Sequence, residues 1–127
     1  MDIVASLLSR RQAYGNERFL ALPVWIQHGA RWEQRKALVD SGASLNFISH
    51  LLAKELELGV DPTPLKRVTT LGGQPLLTYG FRNATLRLED TQGRRLESAE
   101  TLVAANITGY DLILGYPWLQ GNVPDIR

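Results

Sequence analysis

The sequence predicts an all-β domain, a closed barrel or sandwich of short strands with one main helix. Three observations carry that reading. Short apolar runs are separated by turn signals at His28-Gly29-Ala30-Arg31, Gly72-Gly73-Gln74 and Asp90-Thr91-Gln92-Gly93. Ala84, Leu86 and Leu88 alternate with Thr85, Arg87 and Glu89, the period of a half-buried strand. One stretch, with Phe47, Ile48, Leu51, Leu52 and Leu56, repeats at helical spacing instead.

Taken in order, residues 1–16 are polar-rich, end in Tyr14-Gly15-Asn16 and read as an N-terminal arm; 17–127 read as the domain. Phe19 to Gln27 and Trp32 to Val39 are strand-like and joined by a hairpin turn. Asp40-Ser41-Gly42 is the next turn. In the helix that follows, Asn46 is the expected cap and Gly59 the expected stop. Asp61-Pro62-Thr63-Pro64 is a stiff connector that cannot prolong it. Val68 to Leu71 and Pro75 to Tyr79 flank the glycine pair as a tight hairpin, and Pro75 implies a free edge. Leu96 to Ala105 and Asp111 to Leu114 are further strands, and Trp118 and Leu119 begin a short last helix.

Composition narrows the function classes. At 127 residues with a net charge of +1, the chain is long enough for one real core and carries no strong field. The basic pairs Arg10-Arg11, Arg35-Lys36, Lys66-Arg67 and Arg94-Arg95 are dispersed and lack interleaved aromatics, against nucleic-acid binding. The absence of cysteine removes disulfides and thiolate metal sites. No apolar run approaches the ~20 residues of a membrane helix. Ile3 to Leu8 has an acid before it and arginines after it, the wrong order for a secretory signal. The expected location is therefore intracellular. His28 and His50 share no metal-ligand spacing, so no metal is expected. Trp25, Trp32 and Trp118 read as core or interface anchors.

The chemistry is concentrated in Ala37-Leu38-Val39-Asp40-Ser41-Gly42-Ala43-Ser44. A carboxylate directly after an apolar strand is costly to bury unless something satisfies or uses it. Gly42 lets the backbone turn closely beneath that carboxylate, and its N–H can hold the ionised form. A second apolar strand, Leu112-Ile113-Leu114, is closed by Gly115. Alone, Asp40 reads first as a turn residue bonding its own backbone.

Two segments together, Ala37 to Ser49 and Tyr110 to Leu119, resemble the retropepsins, the aspartic proteases of retroviruses and retrotransposons, and look most like the Ty3/Gypsy group. The resemblance implies a closed acid-protease barrel with one helix after the active-site turn and a short C-terminal helix. It implies Asp40 as the catalytic acid, with the turn Ser41, Gly42, Ala43 and Ser44 around it. Ser41 would lock two turns together, while Ala43 and Ser44 would line the cleft. Leu71-Gly72-Gly73-Gln74 would be the tip of a flap closing over substrate. Asp111, Leu112 and Ile113 are implied pocket residues.

One dyad needs two acids, and the chain carries one such triplet; Asp90-Thr91-Gln92-Gly93 is a near miss with polar neighbours. The resemblance therefore implies a homodimer that needs no cofactor, an extended peptide or polyprotein substrate, and an acidic to near-neutral optimum. It places the enzyme in the cytoplasm or within virus-like particles. Pro117 stands where many relatives carry an acid, so a polar link from the last helix to the active-site turn is not expected. The terminal sheet of the family dimer is expected to be absent or built differently. The other reading is a non-catalytic dimerisation or peptide-binding module of the same fold in a host protein.

Overall fold

The structure, a computed structural model, describes residues 20–62, 67–69, 75–90 and 92–122. The expected arm and the expected flap tip, Leu71 to Gln74, lie outside the described residues. Strands β1 (Leu20–His28) and β2 (Arg31–Val39) form the predicted hairpin around Gly29-Ala30. Gly29 adopts φ +59°, the left-handed conformation that a two-residue hairpin turn requires.

The next segment departs from expectation. Asn46–Ser49 is a strand, β3, and the helix α1 (His50–Glu55) starts after it. Phe47 and Ile48 are therefore strand residues on opposite faces, and Leu51, expected in the core, is 75% exposed. A short apolar run fits either period, and pairing on both sides decides it here. β3 runs parallel to β7 (Arg95–Ala105) and antiparallel to β8 (Leu112–Leu114).

The cap is Ser49, not Asn46: its hydroxyl accepts the Leu52 N–H. Nor does Gly59 stop the helix. Glu57 takes φ +55°, and the N–H groups of Glu57 and Leu58 return to the carbonyls of Lys54 and Ala53 at 3.0 and 2.9 Å. Replacing the cap, Ser49→Ala, is expected to cost about 1 kcal/mol, read as a lower midpoint in chemical denaturation.

Strand β6 (Pro75–Glu89) is one long strand where two were expected. It bends at an irregularity between Thr78 and Gly80. Gly80 has φ +148°, and a Cβ there would lie 2.2 Å from the Asp61 carbonyl oxygen. Only glycine lets β4 (Asp61–Pro62) pair with β6 at this point. Asn106 closes the inner side of the bend, accepting the Leu77 N–H on Oδ1 and donating its own N–H to the Leu77 carbonyl. His50 stacks on Tyr79 at 3.8 Å, joining the start of α1 to the same bend. β5 (Arg67–Thr69) pairs antiparallel with the start of β6, as the expected hairpin requires.

The strands run in the order β1-β2-β8-β3-β7-β6, and β6 pairs back onto β1 at Trp25↔Arg87 and Ile26↔Leu86. This closes a six-stranded barrel, in keeping with the all-β expectation. Period-two alternation sorts its strands into two apolar faces. Leu22, Val24, Ile26, Ala37, Val39, Ile48, Leu86, Leu102, Leu112 and Leu114 fill the interior, with Trp118 from helix α2 (Tyr116–Asn122). On the opposite face Leu38, Ala43, Phe47, Leu76, Ala105, Ile107 and Ile113 form a second cluster. Trp118 is wholly buried, as an anchor should be; Trp25 and Trp32 are half-buried, and the Arg87 guanidinium lies 3.9 Å from the Trp32 ring.

Candidate active site

The turn that carries Asp40 emerges where β2 and β8 end side by side. The register is parallel, Val39 opposite Leu114, and the Asp40 N–H continues it to the Leu114 carbonyl at 3.0 Å. The Asp40 carbonyl accepts the Ala43 N–H at 3.0 Å, and Asp40 Oδ1 accepts the Gly42 N–H at 3.0 Å. The backbone thus grips both ends of the turn and one oxygen of its carboxylate. Asp40 is 3% exposed, and among the described residues its Oδ2 takes no hydrogen bond. A buried carboxylate with one uncommitted oxygen holds chemistry in reserve, because burial without partners is otherwise selected against.

Asp90 shows the contrast. It is also buried, in the other turn that resembled the triplet. Its Oδ1 accepts two backbone N–H groups, from Gln92 and Arg94, and its Oδ2 accepts Arg94 Nε at 2.7 Å. Burial pushes that carboxyl up, but the Arg94 and Gln92 hydrogen bonds and the Arg94 charge outweigh it and hold it below the usual carboxylate range. Both oxygens are committed to the turn, so Asp90 is a structural acid.

Beneath Asp40 lies Gly115. A Cβ on it would sit 2.3 Å from the Leu45 carbonyl oxygen and 2.6 Å from that of Ala43. Its glycine identity therefore lets the β8–α2 junction press against the active-site turn. The Tyr116 N–H then donates to the Ala43 carbonyl at 2.8 Å. Helix and turn are linked after all, through the backbone, so Pro117 removes nothing that the link uses. Proline also suits the first turn of a helix, where its missing N–H would have no partner.

The structure sorts the other expected site residues. Ser41, Gly42 and Ser44 are exposed on the turn. Ala43 is buried in the second cluster, so it anchors the turn and offers no side-chain surface to a cleft. Leu112 is wholly buried in the barrel interior and is withdrawn as a pocket residue. Alternation puts Ile113 on the other face, in the cluster with Ala43 and Leu76.

Asp111 is half-buried at the far end of β8, about 13 Å of strand from Gly115. Its backbone bridges β2 and β3, donating to Lys36 O and accepting from the Ser49 N–H. Two open grooves of about 460 and 480 Å³ flank it, and Asp40 lines neither.

Sequence reading missed Asn46. It is buried; its Oδ1 accepts the Gly115 N–H at 2.9 Å and its Nδ2 donates to Glu100 Oε1 at 3.2 Å. The available signal was an amide side chain entering an apolar strand, which must find partners. Among the described residues no cluster of His, Asp or Glu is arranged to hold a metal ion. No helix there is long and apolar enough to cross a membrane.

A closed β-barrel with an Asp-Ser-Gly turn locked against an apolar strand and its glycine defines a retropepsin-like protease domain. Residues 36–127 match the family model of the PEG10/RTL1 protease domain, and the chain belongs to that family. Among solved structures it is similar to the retroviral protease-like domain of Ddi1 from Leishmania major, at 22% identity and a TM-score of 0.48. That match covers 79% of this chain and 75% of the other. No curated protein sequence matches the chain.

Proposed function

We propose that this chain is an aspartic endopeptidase, active as a symmetric homodimer on the polyprotein of a retrotransposon. Asp40 and Asp40 of the partner subunit form the dyad. Two adjacent carboxyls cannot both ionise, so they share one proton. The ionised member takes a proton from water as the water attacks the scissile carbonyl carbon. The protonated member gives its proton to the carbonyl oxygen, forming the tetrahedral intermediate. Collapse returns a proton to the amine as the C–N bond breaks.

One observation carries the reading: the buried Asp40 carboxylate has one oxygen held by the Gly42 N–H and the other uncommitted among the described residues. Two more support it. Ser41 and Gly42 are exposed on the same turn, as a contact between two turns requires. Leu76, at the base of the β5–β6 hairpin, packs in one cluster with Ala43, which sets that hairpin on the active-site side.

Titration with a peptide-like transition-state analogue tests the proposal. A dimeric enzyme binds one inhibitor per two chains, and its mass in dilute solution doubles on binding if the free chain is monomeric. A dimer that binds no analogue would favour the non-catalytic module. Monomers that neither bind nor cleave would overturn the homodimeric enzyme.

A further inference from the structure

A line of hydrogen bonds leads away from the active-site turn to Glu100, a carboxylate that strand alternation places on the inward face of β7. Glu100 lies on β7 one alternation before Leu102, which points into the barrel. Its Oε1 accepts Asn46 Nδ2, and Asn46 Oδ1 accepts the N–H of Gly115. On either side of Gly115, Leu114 receives the Asp40 N–H and Tyr116 donates to Ala43. One carboxylate is thus coupled through one amide to the residue wedged under the turn.

The amide has a single workable orientation. A backbone N–H only donates, so the Asn46 atom facing Gly115 is its oxygen. The Asn46 amino group then faces Glu100 and needs an acceptor there. An ionised carboxylate only accepts, and its hydrogen bonds are stronger than those of a neutral group. A protonated carboxyl carries a hydrogen of its own that competes for the same space.

Glu100 has no basic partner among the described ion pairs. The polar side chains beside it are neutral: Asn46 from β3, Asn122 from α2 and Ser98 on its own strand. Ala84 stands opposite on β6. Among the described residues, no charged group acts on it from these elements.

We propose that Glu100 is a positioning residue for the active-site turn, and that its ionised form tightens the turn through Asn46 and Gly115. The effect on turnover rests on the aspartic-protease reading; the coupling to Gly115 does not. Burial raises the Glu100 carboxyl above its ordinary range, with Ser98, Asn46 and Asn122 partly opposing. The folded chain therefore holds that proton more tightly than the unfolded chain does. Relative stability is full below the unfolded-state value and falls as pH rises through the folded one. The charge that sharpens the turn thus weakens the fold.

Glu100→Gln separates the two effects, since it keeps the shape and one acceptor oxygen but not the charge. At pH 7 the variant is expected to melt above the wild type, and at pH 3 with it. At pH 7 its kcat is expected to fall about threefold to tenfold, the worth of a charge-assisted over a neutral hydrogen bond, with KM unchanged. At the acid end of the pH profile the two should converge. A merely structural role would not make the protein more stable and slower together.

The Gly115 amide reports the coupling without any activity. Its nitrogen and proton shifts should follow the Glu100 titration in the wild type and lie flat in Glu100→Gln. A flat wild-type profile, or one that survives the substitution, would overturn the proposal. A Gly115 titration in a chain without peptidase activity would support the coupling and overturn the protease reading instead.

Discussion

Asp40→Asn is expected to lower peptide hydrolysis by about a thousandfold or more, the scale of losing general acid–base catalysis. The fold should survive it. An asparagine Oδ1 still accepts the Gly42 N–H, and the two backbone hydrogen bonds of Asp40 do not involve its side chain. An amide can neither take the proton from water nor share one with its symmetry mate. Two such amides therefore leave substrate geometry intact and remove the reacting proton. The measurement is cleavage of a peptide library beside a thermal melt. Cleavage by the variant at the wild-type rate would remove Asp40 from the mechanism. A collapse of the melt would instead show that the carboxylate is a fold determinant like Asp90.

A large loss of stability is expected from Gly115→Ala. Its new methyl would lie 2.3 and 2.6 Å from the carbonyl oxygens of Leu45 and Ala43. Both clashing atoms are backbone, so no side chain can rotate away. Relief requires the β8–α2 junction to separate from the active-site turn. That separation strains the Gly115 bond to Asn46 and the Tyr116 bond to Ala43. A cost of about 3 kcal/mol or more is expected, at the upper end of overpacking penalties. It should appear as a melting temperature lower by roughly 10 °C. Any folded fraction should also be inactive, because the atoms that must move hold Asp40. A stable and active Gly115→Ala would show that the junction is looser than its contacts imply.

Much of this was legible in the residues. The hairpin of β1 and β2 follows from alternation and a glycine turn, both local signals. The Asp40 turn is legible because the residues around it and the later apolar strand closed by Gly115 together resemble one family. The segment 46–56 was not, because Phe47, Ile48 and Leu51 satisfy a helical period by coincidence. β3 exists because β7 and β8 offer it partners from distant sequence. Likewise β6 reads as two strands, since Gly80 is ordinarily a break; only its fit against Asp61 reveals a bend within one strand. Leu112 and Ile113 do not line one pocket together, because adjacent strand residues face opposite ways. Which of them faced the site waited on the pairing with β2.

Neighbouring residues were enough to name the class of the molecule: a β-rich domain with one acid set between an apolar strand and a glycine turn. These features are local, written in neighbouring residues and their period. What holds that acid in place is visible in the closed barrel alone. Gly115 beneath the turn, Asn46 behind it and Glu100 beyond are far apart along the chain, and a hydrogen bond between distant segments leaves no periodic trace. Such contacts exist only once the barrel has closed and brought its strand ends together.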